Sequence, residues 1–418
     1  MRKFTNLQVV LIILISLFVG FYFGVNKVTL DWKGYSPQLN VLSKDPPPDT
    51  VNVDFTPFWT VWQKLQTDYY DKSKLNQQAM VNGAIQGMVA TLGDPFTLYL
   101  PPTQNNNFKQ GLSGQFDGIG AELTSTNSKV IVLSALDGSP AQKAGIKGGD
   151  EIVDINGTSV AGVDLNSIVD KIRGPKGSQV TLTIIPKGQT SPKDVTITRD
   201  VIQVKSVTAW VKQIKDIQGV NIAGNPDVSV AYIRLSQFGD DTNKEWSSIM
   251  PGLAAQIKSE NAKGVILDLR ENPGGYLTDA TYIASEFLQQ GAPVVIEQDE
   301  TGTQTTLSAT RPGLLTTVPL IVLIDRGSAS ASEIVAGALR DNKRAILVGE
   351  KSFGKGTVQQ AEDLGNGAGL HVTIAKWLTP NGTWVNGKGL IPDVATTADT
   401  KDPSHDTTLE SAIEQLLK

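Results

Sequence analysis

Few residues of this 418-residue chain could carry covalent chemistry. Cysteine is absent, which removes disulfides, thiol catalysis and thiolate metal sites. Only His371 and His405 could supply imidazole, so neither a histidine-rich metal centre nor a histidine-based triad is expected. Hydrolytic chemistry would then rest on serine, lysine or carboxylates. Three serines, Ser328, Ser330 and Ser332, alternate with alanines, and Lys355 stands between Gly354 and Gly356. A serine needs a base to take its proton. Lysine can serve only when its pKa falls from near 10.4 to about 7 or 8, a difference of roughly 4 kcal/mol that burial of the ammonium supplies. Lys355 meets that requirement, beside Phe353 and where glycines let backbones approach; Lys343 and Lys351 have polar neighbours and read as solvated.

The elements that must position these residues lie around them. Residues 318–324 are a nearly unbroken apolar run of strand length, and 344–348 a shorter one. Between them Ile334, Val335, Ala338 and Leu339 recur at helical spacing. A strand that turns sharply into a helix presents its turn residues at the sheet edge, beside the unpaired N–H groups of the helix start. Ser330 and Glu333 also make an S-x-x-E capping box, which explains one serine but not three. The run from Gly349 to Lys355 has the glycine spacing of a phosphate loop. Gly356 stands where that loop needs Ser or Thr, however, and 357–360 reads as a strand rather than a helix, so nucleotide binding is set aside.

Elsewhere, the net charge of −5 and the lack of any basic run leave no footprint for nucleic acid. Residues 1–27 open with Arg2 and Lys3, followed by an apolar stretch, 9–25, that would span about 25 Å as a helix. No Ala-x-Ala cleavage site follows, which favours an uncleaved membrane anchor over a removed signal, with the body outside. Residues 28–54, with three consecutive prolines, read as a linker. Residues 55–112 are helical in pattern, stopped by Gly93, Asp94 and Pro95, with Phe58, Val61, Trp62 and Leu65 forming a stripe for a core or a docking surface. Residues 113–203 change to short alternating strands with a tight turn at Asn156-Gly157 and helices near 139–144 and 165–172. Residues 204–397 alternate strand and helix, with helices over 243–259, interrupted at Pro251, and 278–290, which argues a layered domain with a mostly parallel sheet. Residues 398–418 read as a tail with a short helix.

Two resemblances follow from particular residues. Gly118, Ile119, Gly120 and Ala121, then SPAQKAGIKGGDEIVDINGTSV and IRGPKGS, resemble a bacterial PDZ domain. Such a domain adds a peptide as a strand to its sheet edge and holds the terminal carboxylate on the N–H groups of the glycine loop. The run SASASEIVAGALRDNKRAILVGEKSFGKGTVQ, with LDLRENPGG at 267–275, resembles the carboxyl-terminal processing peptidases, and the order of segments is similar across nearly all of the chain after the linker. That resemblance implies a multidomain α+β fold: a helical N-terminal segment, a PDZ domain and an α/β catalytic core of the Clp-protease/crotonase type. It implies Ser330 as nucleophile, Lys355 as base and Gln359 as the residue that orients the lysine. Gln359 would reach it from the same strand face. The N–H of Ala331, following the nucleophile, is one expected oxyanion donor; for the other the resemblance favours Gly275, with Gly274 close behind. Arg270 and Asn272 would shape that loop, His371 would be a strand residue with a satisfied hydrogen bond, and Arg173 is a candidate link between peptide occupancy and the active site. The expected function is an endopeptidase of the bacterial cell envelope, without cofactor, that recognises apolar C-terminal tails and cleaves upstream. Membrane contact through residues 1–27 and a homo-oligomeric state are compatible with it. The contrasting expectation is a non-catalytic PDZ adaptor, which has no reason to keep Ser330, Lys355 and Gln359 together.

Overall fold

The computed structural model describes residues 11, 14–18, 28–33, 36–41, 53–126, 129–136, 138–397, 399, 402 and 404–418. Most of the expected anchor and the triple proline lie outside them. Among the described residues no helix is long and apolar enough to cross a membrane. The chain divides into two units, Met1–Met80 and Val81–Lys418.

In the first unit, β1 (Val28–Lys33) and β2 (Ser36–Val41) pair antiparallel, within the stretch read as a linker. Val28, Leu30 and Trp32 alternate with polar residues, a strand pattern that the prolines further on obscure. Helix α1 (Thr56–Asp68) starts with proline in its first turn and stacks Phe58 on Trp62, yet buries none of its residues. Its stripe is therefore not a core among the described residues.

Helix α2 (Gln77–Ala90) runs across the division between the units. After the glycine and proline stop, β3 (Leu98–Leu100) is a strand, which the helical pattern does not announce, and α3 (Pro102–Leu112) follows. The PDZ-like part begins with β4 (Gln115–Gly118), β5 (Ala121–Thr126), β6 (Lys129–Ala135) and α4 (Pro140–Lys143). It continues with β7 (Glu151–Ile155), β8 (Thr158–Ser159), α5 (Leu165–Ile172), β9 (Gln179–Ile185), β10 (Lys193–Thr198) and β11 (Asp200–Gln203). The sheet order β10-β9-β7-β6-β5 leaves β5 at an edge beside α5, while β11 pairs with β4. Asn156 and Gly157 both take positive φ, as the tight hairpin turn requires. Alternate residues of the strands, Val130, Val132, Val180, Leu182 and Ile184 among them, bury against Ile168 and Ile172 of α5.

The remaining elements are β12 (Val207–Gln213), β13 (Ser229–Leu235), α6 (Thr242–Ser259), β14 (Val265–Asp268), α7 (Leu277–Ala284), β15 (Pro293–Gln298), β16 (Gln304–Ser308) and β17 (Leu320–Ile324). They are followed by α8 (Ala331–Asp341), β18 (Ile346–Gly349), β19 (Thr357–Asp363), β20 (Gly369–Leu378), β21 (Val394–Ala395) and α9 (Thr407–Leu417). One sheet has the order β12-β13-β14-β17-β18-β21, parallel from β13 onward; a second, antiparallel, runs β16-β15-β20-β19 with β3 on β20. The apolar runs of β14 and β17 are buried on both faces, as parallel strands must be. Ala231, Ile233, Leu267, Val322 and Ile324 face α6, α7 and α8. Val230, Ile266, Ile321 and Leu323 face the other way, onto Leu409, Ala412, Ile413 and Leu416 of α9. The stretch read as a tail is thus the cover of the sheet's far face.

Two helices differ from their expected course. Helix α6 passes unbroken through Pro251, because burial of Trp246, Met250, Leu253 and Ile257 on one side outweighs the hydrogen bond that proline removes. Helix α7 ends at Ala284 rather than near residue 290. Its continuation turns so that the buried Glu286 can accept from Trp246 Nε1, Arg311 Nη2 and the Leu314 N–H.

Candidate active site

The three serines have three different settings. Ser328 and Ser332 are fully buried. The Ser328 hydroxyl donates to Leu269 O at 2.8 Å and the Ser332 hydroxyl to Asn272 O at 2.9 Å, where the Ala329 N–H also donates. Both outer serines therefore fasten the β17–α8 turn to the loop that follows β14. Ser330, between them, is only partly buried and takes φ 53°, ψ −115°, a backbone region that costs a non-glycine residue about 1–3 kcal/mol. That strain is held by neighbours on both sides. Alternation with alanine is what places two anchors under one presented hydroxyl.

The loop after β14 comes up against this turn. Asn272 is completely buried; its side-chain N–H donates to Leu235 O and its Oδ1 accepts from the Gly274 N–H. Arg270 pairs with Asp268, so both residues shape the loop as expected. A Cβ on Gly274 would lie 2.8 Å from Ser330 Cβ and 2.9 Å from Ala331 N; one on Gly275, at φ 141°, would lie 1.8 Å from Phe238 O. Only glycine permits this approach. The Phe238 N–H donates to Gly274 O and the Tyr276 N–H to Phe238 O, pinning the segment. Among the described residues the N–H groups of Gly275 and Ala331 carry no hydrogen bond, whereas that of Gly274 is committed to Asn272.

Glu333 does more than cap its helix. Its carboxylate, fully buried, accepts from the Ser330 N–H at 2.9 Å, as a capping box requires. It also accepts from Ser352 Oγ at 2.6 Å, the Gly354 N–H at 2.7 Å and the Lys355 N–H at 2.9 Å. One carboxylate thus joins the backbone of the serine turn to that of the lysine loop. The spacing S-x-x-E signals only the first half. The lysine loop is further held where Trp377 Nε1 donates to Lys355 O and Trp384 Nε1 to Gly356 O.

The Lys355 side chain is partly buried, and its Nζ lies 5.1 Å from the centre of the Phe96 ring. Burial pushes its pKa below the usual lysine value, while the Asp94 carboxylate works in the opposite direction. Among the described residues its amine makes no hydrogen bond, and it is not bonded to Ser330. Among the described residues no hydrogen bond joins Gln359 to Lys355 either. Its amide donates to Thr357 Oγ1 at 2.7 Å and Thr373 Oγ1 at 3.2 Å. The expected alternation fails because β19 begins only at Thr357 and carries a bulge between Val358 and Gln359. His371 also departs from expectation. It packs edge-on against Phe108, has no side-chain hydrogen bond among the described residues, and has its pKa lowered by burial and then by Lys355.

In the PDZ-like part, Gly118 ends β4, the Ile119 side chain is buried, Gly120 takes φ 73°, and Ala121 opens the edge strand β5. A Cβ on Gly120 would meet Ser139 Cβ at 2.5 Å. Ile119 O accepts from the Ala141 N–H and Gly120 O from the Leu136 N–H, so the loop is fixed through its carbonyls. Arg173, at the end of α5, lies over Phe116 at 4.9 Å from the ring centre, and among the described residues it makes no hydrogen bond to Ser330 or Lys355.

Fold and site together are those of a peptidase carrying a PDZ domain. Residues 229–396 match the model of peptidase family S41, 108–185 that of the PDZ domain, and 18–103 that of the activating protease CtpB N-terminal domain. The chain is 35% identical over 382 residues to the carboxy-terminal processing protease CtpB of Bacillus subtilis, covering 90% of this chain and 74% of that protein. It is 36% identical over 337 residues to a carboxy-terminal-processing protease of Bartonella bacilliformis, covering 81% and 74%. The solved photosystem II D1 C-terminal processing protease superposes with a TM-score of 0.51 at 29% identity, over 85% of this chain and 98% of that one. The chain belongs to peptidase family S41, among the carboxy-terminal processing proteases.

Proposed function

We propose that the chain is an extracytoplasmic serine endopeptidase, anchored through residues 1–27, that binds the apolar C-terminal tail of a protein on its PDZ domain and cleaves upstream by a Ser330/Lys355 dyad. The observation that carries this reading is the Glu333 carboxylate, which holds the backbones of Ser330 and Lys355 at a single point. Ser330 Oγ attacks the peptide carbonyl while neutral Lys355 takes its proton and passes it to the leaving amine, leaving an acyl-enzyme that water hydrolyses. The Gly275 and Ala331 N–H groups receive the oxyanion. Lys355 Nζ lies over the Phe96 ring, and in this reading it comes within hydrogen-bond reach of Ser330 for the reaction. Gln359 releases Thr357 and Thr373 to orient it.

On the PDZ side, the free edge of β5 accepts the tail as an added strand, and the segment from Gly118 to Ala121 receives its carboxylate. Arg173 relays occupancy to the protease part. Mass-spectrometric mapping of products from an unfolded model protein, with and without an apolar C-terminus, tests the proposal. Internal cuts are expected in the first substrate and few in the second. Equal cutting of both would remove tail recognition, and no cutting of either would remove the protease reading.

The setting of Lys355 makes a further pH prediction. Only the neutral amine is a base, so kcat/KM rises with pH as Lys355 deprotonates. The Asp94 carboxylate favours the ammonium form. Asp94→Asn should therefore move the rising limb of the kcat/KM profile to lower pH. A limb that stays in place or moves upward would separate Asp94 from the base.

A further inference from the structure

We infer that Asp406, the N-cap of α9, is a positioning residue for the glycine loop of the active site, so that the helix covering the far face of the sheet sets the geometry of the reaction. This rests on the reading of Gly275 as an oxyanion donor. Arg270 opens the loop that leads through Glu271, Asn272, Pro273 and Gly274 to Gly275. Its guanidinium is gripped from two sides. Nε lies 3.0 Å from each oxygen of Asp268, and Nη2 lies 2.6 Å from Oδ2. On the other side Nη1 and Nη2 donate to the two oxygens of Asp406, both at 2.9 Å. That is a fork-to-fork pair, the geometry in which an arginine fixes direction as well as distance.

Each acid is itself anchored. Asp268, almost wholly buried, also accepts from Tyr232 Oη at 2.7 Å, Arg234 Nη1 at 3.0 Å and the Arg270 N–H at 2.9 Å. Asp406 caps α9 by accepting from the Leu409 N–H at 2.9 Å, and its own N–H donates to Gly219 O at 2.7 Å. Behind the cap, Leu409, Ala412, Ile413 and Leu416 are buried against the sheet. The loop is therefore held on one side by Ser328 and Ser332 and on the other by a carboxylate that belongs to α9. Between the two grips Glu271 takes φ 54°, and its N–H donates to Asp325 Oδ1 at 2.8 Å.

An oxyanion donor acts only when aimed at the oxygen, and a displacement near 1 Å can cost about a hundredfold in rate. The test uses Asp406→Ser in the full chain, because serine keeps a good N-cap while removing the carboxylate that meets Arg270. Expected are a ten- to hundredfold lower kcat with KM unchanged, a thermal midpoint close to that of the parent, and partial recovery in Asp406→Asn, whose carbonyl oxygen can still accept from Arg270. Hydrogen exchange read by mass spectrometry should show faster exchange across residues 271–276. That second readout needs no activity. If the parent chain cleaves nothing, the proposed dyad fails while exchange still decides the role of Asp406. Unchanged exchange in the loop, an unchanged kcat in an active enzyme, or a loss of kcat matched by loss of folded protein would each overturn the inference.

Discussion

Ser330→Ala should lower peptide hydrolysis by about four to six orders of magnitude while the protein remains folded. The rate falls because no other hydroxyl can take its place: Ser328 and Ser332 are buried and their protons are donated to Leu269 O and Asn272 O. Folding survives because Glu333 bonds the backbone N–H at position 330, which alanine retains. Lys355→Ala should fall to a similar level, and the double variant should be scarcely worse than either alone, since nucleophile and base act as one unit. Initial rates on an unfolded protein substrate, with a thermal melt of each variant, check this. Turnover that persists in either single variant, or losses that add in the double, would contradict the dyad.

Glu333→Ala should harm both stability and activity. The substitution leaves the N–H groups of Ser330, Gly354 and Lys355 and the Ser352 hydroxyl without their shared acceptor. Each buried polar group left unsatisfied costs about 1–3 kcal/mol, not strictly additively, so a loss of about 4 kcal/mol or more is expected. For a unit of this size that lowers the thermal midpoint by on the order of ten degrees. Glu333→Gln separates the two effects: it keeps volume and one acceptor oxygen but turns an NH2 group toward N–H donors. It should melt closer to the parent yet hydrolyse at least about a hundredfold more slowly. Near-parental rates in Glu333→Gln would show that the serine and lysine loops keep their register without this carboxylate.

Much of this arrangement was legible where the physical signal is local. The runs at 264–269 and 318–324, alternating with helices, announce strands of a mostly parallel sheet, Asn156-Gly157 announces its hairpin, and Gly356 with a strand-like 357–360 sets the phosphate loop aside. What escaped depends on partners distant in sequence. Glu333 reads as a cap because its cap partner is three residues away; its other partners, Ser352, Gly354 and Lys355, lie 19 to 22 residues on. Ser328 and Ser332 look like rival nucleophiles until the loop after β14 is placed beneath them. Gln359 counts correctly along an ideal strand and wrongly along one with a bulge. Helix α9 shows only a short amphipathic pattern, and nothing in that pattern says which sheet face it covers.

The pairing of Arg270 with Asp406 also orders events in time. The two residues are 136 positions apart. At about 5 to 20 residues per second, a nascent chain that has just completed the strand carrying Asp268 must be extended for on the order of ten more seconds before the second grip on its glycine loop exists. Until then the far face of the sheet lacks Leu409, Ala412, Ile413 and Leu416, and Arg270 lacks its Asp406 partner. Under the proposed role of Asp406, the glycine loop of a newly made copy gains its second grip only when α9 docks.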